Sequence, residues 1–194
     1  ATKITQKEKE PHTIHTRNVS EEWTEVDVLF VGEAPGALED KKGVPFVGKS
    51  GSLLRAGVSA IEGVRVGFTN PVRCRPPGNR TPSDTIARSC ASALVDEIRA
   101  RRPRLLVALG NTALWSLASE TGITTHTGHV LKCTISEFAH IPVLACLHPA
   151  YVLRFDHEVE RMAAALETAQ KILRGEYTSR RGLGTYHVAK TADE

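Results

Sequence analysis

The fold of this chain is decided by the stretch VDVLFVGEAPG, residues 26–36. Its first six residues form an almost continuous apolar and β-branched run, which predicts a strand buried on both faces. The five residues that follow contain two glycines and a proline. They predict a fixed turn in which backbone amides can approach a ligand closely. A buried strand that runs into such a turn is typical of a parallel sheet covered by helices.

Three further apolar runs have the same character. They span residues 64–69, 105–109 and 143–147, and each is followed by turn-forming residues, namely Asn70-Pro71, Gly110-Asn111 and His148-Pro149. Between the predicted strands, residues 50–61, 83–101, 111–119 and 158–173 carry apolar residues at helical spacing, with Ser83 as a predicted N-cap. In the second of these helices, the spacing predicts that Ile86, Cys90, Leu94 and Ile98 share one face. This alternation predicts an α/β fold, a three-layer αβα sandwich around a central four-stranded parallel sheet with right-handed crossovers.

The length of 194 residues predicts one domain, which we place at residues 26–175. Residues 1–25 are polar and lack an apolar period, so we interpret them as an N-terminal arm. Residues 176–194 are rich in arginine, glycine and threonine and are predicted to form a flexible C-terminal tail.

The composition excludes several classes of protein. A hydrophobic content of 41% is too high for a disordered chain, and no apolar run approaches the roughly 18 residues of a membrane span. Because a signal peptide is absent and the four cysteines are scattered, the sequence predicts a cytoplasmic protein with free thiols.

Positive charge is concentrated in one segment. The chain has 25 Lys and Arg against 22 Asp and Glu, a net charge of +3. Residues 71–82 contain Arg73, Arg75 and Arg80 and no acidic residue, so this segment alone holds as much net charge as the whole chain. Such a segment favours an anionic partner.

Polar turn residues at the ends of predicted strands indicate a binding site. In parallel sheets, ligands bind beyond the carboxyl ends of the strands, where Asn70 and His148 are expected. Phe46 lies between glycines in the predicted loop 43–51. Its ring suits stacking on a flat ligand, and the alternative is a loop aromatic folded back over the core.

Four segments, in this order along the chain, resemble motifs of the uracil-DNA glycosylase superfamily. They are GEAPG at 32–36, GVPFVGKSG at 43–51, TNPVRCRPPGNRTP at 69–82 and HPAYVLR at 148–154. The closest resemblance is to family 4, the thermostable bacterial and archaeal type that usually carries an iron–sulfur cluster. The resemblance extends over residues 26–173. It implies a uracil-DNA glycosylase-like fold and an enzyme that flips a base out of DNA into a pocket.

The resemblance also implies roles for individual residues. Phe46 is expected to stack on the flipped pyrimidine, and Asn70 to bind its Watson–Crick edge through the donor and acceptor of its amide. Glu39 matches an acid near the base, and Glu33 and Ala34 form one wall of the pocket. His148 is expected to lie against the pyrimidine O2, where negative charge develops as the glycosidic bond breaks.

The expected DNA contacts are Ser50, Arg73, Arg75, Arg80 and Arg154. The four arginines can bind phosphates without reading the DNA sequence. The best-known uracil glycosylases have, at the position of Ala34, an aspartate that orients the attacking water. Family 4 lacks it as well, and Glu33 and Asp40 are the candidates for that task here.

The cluster ligands of family 4 are only half present. Cys74 and Cys90 match the second cysteine pair of the family, but residues 1–73 contain no cysteine. Two thiolates cannot hold a [4Fe–4S] cluster in the usual way, so no cofactor is expected. A zinc site formed by His12, His15, Cys74 and Cys90 is the alternative, and the sequence does not assign any metal ligand.

The sequence therefore predicts a monofunctional DNA glycosylase with catalytic residues His148, Asn70 and Glu33. It would act as a monomer on DNA, by default on uracil, and leave an abasic site. Two alternatives remain open: a glycosylase for another or a modified pyrimidine, such as a modified phage base, and an inactive DNA-binding module of the same fold. A nucleotide-binding protein of general α/β type is a more distant alternative, because no phosphate-binding loop motif is present.

Overall fold

The computed structural model describes residues 25–61 and 63–178. His12, His15 and residues 179–194 of the predicted tail lie outside the described residues, as does the predicted arm before Glu25. Tyr177, which the sequence assigns to the tail, packs against the hydrophobic core.

The centre of the domain is a five-stranded sheet. Its strands are β1 (Val28–Val31), β2 (Val66–Thr69), β3 (Leu105–Leu109), β4 (Val130–Lys132) and β5 (Pro142–Cys146). The strand order is β2-β1-β3-β5-β4. The first four strands in this order pair in parallel, whereas β4 pairs antiparallel to β5.

The prediction of four parallel strands was therefore wrong by one edge strand, although the fold class is confirmed. The missing strand β4 has three residues, of which only Val130 is buried. A segment this short shows no recognisable apolar run, and its strand conformation comes from pairing with the buried β5.

Helices connect the strands. They are α1 (Ala37–Lys42), α2 (Lys49–Val58), α3 (Asp84–Ser89), α4 (Ala91–Arg101), α5 (Asn111–Ala118), α6 (Ile123–His126), α7 (Pro149–Val152) and α8 (Val159–Leu173). Helix α8 contacts α2 as well as β3 and β5, and α5 contacts α3 and the same two strands. The connection from β1 to β2 and the connection from β2 to β3 run in opposite directions across the sheet. Right-handed crossovers in opposite directions place their helices on opposite faces. The group α2 and α8 and the group α3 and α5 therefore form the two outer layers of the sandwich.

The single helix predicted over 83–101 is two helices, and the break lies at Cys90. The Cys90 N–H donates to both Ile86 O and Ala87 O, which tightens the last turn of α3, and its ψ of −1° departs from the helical value. Ser83 is the N-cap as predicted, since its side chain accepts from Ile86 N–H. Ile86, predicted on the same face as Leu94 and Ile98, is 44% exposed while those two residues are buried, because the apolar period does not continue through the break.

The buried strands place four loops at one edge of the sheet. β1, β2, β3 and β5 run in parallel, and the four loops begin at Gly32, Asn70, Gly110 and Leu147. From β1 the chain passes to β2 on one side, and from β2 it crosses back over β1 to β3 on the other side. The direction in which successive strands are added to the sheet therefore reverses at β1. Such a switch point leaves a crevice beyond the carboxyl ends of the strands. No helix within the described ranges is long and apolar enough to span a membrane.

Candidate active site

A pocket of about 510 Å³ occupies this crevice. The loops after β1, β2, β3 and β5 each contribute to its walls, together with α2 and the segment after Pro77. The lining residues are Glu33, Ala34, Gly36, Glu39, Phe46, Ser50, Asn70, Asn79, Thr81, Gly110, Asn111, Ile123, His148, Ala150, Tyr151 and Arg154. The sequence-predicted base-binding residues thus meet around one cavity.

His148 is the N-cap of α7, and its ring is fixed by the backbone. Its Nδ1 accepts a hydrogen bond of 3.1 Å from Ala150 N–H. An accepting Nδ1 carries no proton, so the neutral ring has its proton on Nε2. Burial, reinforced by the nearby positive charge of Arg154 and opposed by Glu39, lowers the pKa of His148 to about 4. The imidazole is therefore a neutral hydrogen-bond donor at physiological pH.

Asn70 directly follows β2 and is only 3% exposed. Its amide lies against the backbone of Gly32, where a Cβ atom would come within 2.4 Å of Asn70 Oδ1 and 2.6 Å of Phe46 Cζ. The lack of a side chain at Gly32 is therefore what allows the amide and the ring to lie side by side.

Phe46 forms an aromatic wall of the pocket in an unusual backbone conformation. Its φ is 57°, in the left-handed region, which costs a bulky residue on the order of 1–3 kcal/mol. The ring centroid lies 6.1 Å from that of His148 and 5.7 Å from that of Phe68. The loop alternative raised by the sequence therefore holds in part, since the ring is 5% exposed and packs on the core while its remaining surface lines the pocket.

Glu39 lines the pocket but its carboxylate is engaged with the loop. Its Oε1 accepts from Val47 N–H at 3.1 Å and from Gly48 N–H at 2.9 Å. The sequence predicted Glu39 as a base-binding residue. Its observed contacts hold the chain directly after Phe46.

Glu33 is a half-buried acid at the other side of the pocket. Thr112 Oγ1 donates to its Oε2 at 3.2 Å. Burial raises the pKa of Glu33, although the Thr112 hydrogen bond and the charge of Arg154 oppose the shift. Asp40, the second candidate for orienting water, is not among the lining residues; its carboxylate lies towards Cys74, where its charge helps to raise the thiol pKa.

The arginines of the segment 71–82 have different environments. Arg73 is turned inward, where Nη1 bonds Glu97 Oε2 at 2.7 Å and Nη2 bonds Ala93 O at 2.9 Å. Its side chain is only 12% exposed, so the structure does not bring this predicted phosphate ligand to the surface. Arg75 bonds Asn79 Oδ1, and Arg80 is exposed and bonds Pro77 O. The burial of Arg73 follows from the acid on α4, which the local charge count could not reveal.

Sequence reasoning missed half of the lining residues. Gly110 and Asn111 follow β3 as Asn70 follows β2, so their position after a buried strand was a usable signal. Asn111 also shapes the wall through α6, since its Oδ1 accepts from Gly122 N–H and Ile123 N–H. Asn79, Thr81 and Ile123 gave no comparable signal because their contribution depends on how distant loops fold back.

Cys74 and Cys90, the two cysteines that match family-4 cluster ligands, lie near each other. Burial raises the pKa of Cys74, and the charge of Cys90 adds to the effect. The remaining thiols, Cys133 and Cys146, are buried in the core. Within the described ranges, no three His, Cys, Asp or Glu side chains are grouped to hold a metal ion. Two thiols do not fit a four-cysteine cluster.

The fold and the pocket define a class of protein: an α/β protein whose switch-point crevice combines an aromatic wall, a buried amide and a neutral imidazole. The family model described as the Uracil DNA glycosylase superfamily matches residues 21–173. The chain belongs to that superfamily, as its motifs predicted. The prediction of a DNA glycosylase, an enzyme that acts on DNA, is likewise confirmed.

Several curated relatives are similar over most of the domain. The type-4 uracil-DNA glycosylase of Pyrobaculum aerophilum is 42% identical over 134 residues, which cover 66% of this chain and 68% of the relative. The type-4 enzyme of Archaeoglobus fulgidus is 38% identical over 134 residues, with 66% and 67% covered. The type-5 uracil-DNA glycosylase of Pyrobaculum aerophilum is 30% identical over 167 residues, with 76% and 69% covered.

Because Arg80 is exposed and Arg73 is turned inward, their substitutions should affect DNA binding differently. Arg80→Ala should reduce the dependence of log Kd on log salt by about one unit, because one phosphate contact is lost. Arg73→Met should leave the slope unchanged and lower the free energy of unfolding by about 3 kcal/mol, since Glu97 loses a buried partner. Salt titrations on non-cleavable DNA and urea denaturation measure both. A smaller slope for Arg73→Met would return Arg73 to the DNA interface.

Proposed function

We propose that this protein is a monofunctional uracil-DNA glycosylase, which hydrolyses the N-glycosidic bond of a flipped deoxyuridine and leaves an abasic site. The observation that carries the proposal is the convergence of Phe46, Asn70 and His148 on one pocket. Flipping a base costs a few kcal/mol, which stacking and edge hydrogen bonds in such a pocket offset. The names of the relatives support uracil as the base, and none of those described above is named for a modified pyrimidine.

In this proposal the base is held on its face and on its edge. Phe46 stacks on the pyrimidine ring, and Asn70 offers a donor and an acceptor to the Watson–Crick edge. Ala34 contributes backbone to the wall, where it leaves room that an acidic side chain would fill. Glu39 supports the base indirectly through the Phe46 loop.

The departing base is stabilised by His148. As the bond between C1′ and N1 breaks, its electron pair moves onto the base and negative charge collects at O2. The Nε2–H of the neutral imidazole donates to that oxygen. A donor aimed at developing charge in a dry pocket acts without reorganisation at the moment of reaction.

Water is oriented by Glu33. The water oxygen bonds to C1′ of the oxocarbenium-like sugar, and its proton passes to the Glu33 carboxylate. The raised pKa of Glu33 makes it a stronger base than an exposed glutamate. Thr112 holds the carboxylate in place through the hydrogen bond to Oε2.

DNA is gripped around the mouth of the pocket. Arg154 and Ser50 line the pocket, and Arg75 and Arg80 add positive charge on the segment 71–82, whose Asn79 and Thr81 also line it. Leu153, which is 51% exposed beside Arg154, supplies an apolar wedge for the gap that a flipped nucleotide leaves. A monomeric state and a cytoplasmic location remain predictions from the sequence.

The substrate is tested with oligonucleotides that differ only in one pyrimidine. Duplexes and single strands carrying uracil, thymine, cytosine or a 5-modified pyrimidine are incubated with the protein, and abasic sites are then cleaved with alkali. We expect strand cleavage at uracil. Cleavage only at a modified base would replace the substrate, and no cleavage with intact DNA binding would favour the inactive module.

His148→Ala should be the costliest single truncation. Loss of one donor to the developing anion lowers the rate by about 100- to 1000-fold, whereas DNA binding should change little because it depends on phosphate contacts. Single-turnover excision and titration of non-cleavable DNA separate the two. A loss of binding that explains the whole loss of rate would assign His148 to DNA clamping.

The acid side of the pH–rate profile should belong to Glu33. Glu33 must be ionised to accept the proton of water, so the rate falls as the pH drops through its raised pKa. His148 stays neutral until about pH 4. Glu33→Gln should lower the rate and flatten the profile in this range. Single-turnover rates of both proteins from neutral pH downward provide the measurement. If the fall in rate at low pH is unchanged in Glu33→Gln, Glu33 is not the group that accepts the proton of water.

A further inference from the structure

The left-handed conformation of Phe46 needs an external cause, because the residue is neither glycine nor asparagine. Free of constraint, the loop would relax to a conformation with negative φ and carry the ring away from its place. The residues around the loop therefore have to hold it on both sides of Phe46.

Arg55, on α2, holds the carbonyl side of the loop. Its Nε donates to Phe46 O at 3.1 Å and its Nη2 donates to Pro45 O at 3.2 Å. The guanidinium also lies over the Phe68 ring, with Cζ 4.4 Å from the ring centroid. Phe68 in turn contacts the ring of Phe46. One side chain thus fixes two consecutive carbonyls and backs the aromatic pair.

Two other features complete the constraint. The Glu39 carboxylate accepts from the two amides that follow Phe46, so the loop is bonded before and after the strained residue. At Gly51, in the first turns of α2, a Cβ atom would lie 2.0 Å from Phe46 O. The loop therefore rests directly on the backbone of the helix that carries Arg55.

We propose that Arg55 is a positioning residue for base recognition, which together with Glu39 clamps Phe46 in the conformation that presents its ring to the flipped base. Arg55 is half-buried and does not line the pocket, so it acts through Phe46 and not by touching substrate. The fork of its guanidinium spans two carbonyls, which the single ammonium of a lysine cannot reproduce. The inference rests on the proposed function, because it assumes that Phe46 stacks on a base.

A double-mutant cycle tests this coupling. Arg55→Met should lower the single-turnover rate of uracil excision by about 10- to 100-fold, and Arg55→Lys should recover only part of it. In a Phe46→Ala background, Arg55→Met should change the rate by less than about two-fold, because its target is gone. The affinity for non-cleavable DNA should not change. Equal losses of rate in both backgrounds would show a general structural role and overturn the proposal.

Arg104→Met is the matched control. Arg104 is also a half-buried arginine that donates to a backbone carbonyl, Leu173 O at 3.2 Å, but it lies away from the pocket. It should lower stability in urea denaturation without lowering the excision rate of the folded enzyme. If Arg104→Met lowers the rate as much as Arg55→Met does, the loss reflects stability and the proposal fails.

Amide hydrogen exchange tests the clamp without any substrate. Arg55→Met should accelerate exchange at the Val47 and Gly48 amides by at least about ten-fold, and Arg104→Met should not. Unchanged exchange in Arg55→Met would overturn the clamp even if the parent excises uracil. Faster exchange in a protein that excises none of the bases would leave the clamp standing and refute the proposed function instead.

Discussion

The close approach of two side chains to Gly32 is the constraint on which the site depends. Asn70 and Phe46 come from different loops, yet both press against this one backbone position at the end of β1. The Gly32 N–H donates to Thr69 O at 2.8 Å, so the residue is also tied to β2. Any Cβ there would push apart the amide and the ring, the two groups to which the proposed function assigns recognition of the base.

Burial then gives the pocket its chemistry. The same low-polarity surroundings act in opposite directions on the two titratable groups, lowering the pKa of His148 and raising that of Glu33. Both shifts oppose charge inside the pocket. These shifts support the roles proposed for the two groups, a neutral donor to the departing base and a basic carboxylate for water.

Some arginines stabilise the fold, whereas others remain exposed and available to a partner. Glu97 accepts from Arg73 and Arg101 and also from Thr69, the residue before Asn70, so an ionic network anchors the loop at its base. The tip of the same loop carries the exposed Arg80. Arg55 is one of the structural arginines, since its guanidinium donates to backbone carbonyls beside the pocket. The number of arginines in the sequence therefore overstates the number whose charge is exposed to a partner.

The sequence alone determined the α/β class, the four buried strands, the positions after them that face the site, and the family. These follow from apolar runs and from turn residues that are local in the chain, so a linear pattern records them. Glu33, Asn70 and His148 could be placed at the pocket because each follows a strand in a recognisable motif, whereas their catalytic roles stay predictions.

The remaining features arise from contacts between segments that are distant in the chain. The strand Val130–Lys132 exists because β5 offers it a partner, and the inward turn of Arg73 exists because Glu97 lies across from it on another helix. The tautomer of His148 and the left-handed Phe46 likewise depend on hydrogen bonds to the folded backbone. Pairing, burial and strain arise between segments distant in the chain, and a sequence pattern carries no record of which segments will meet.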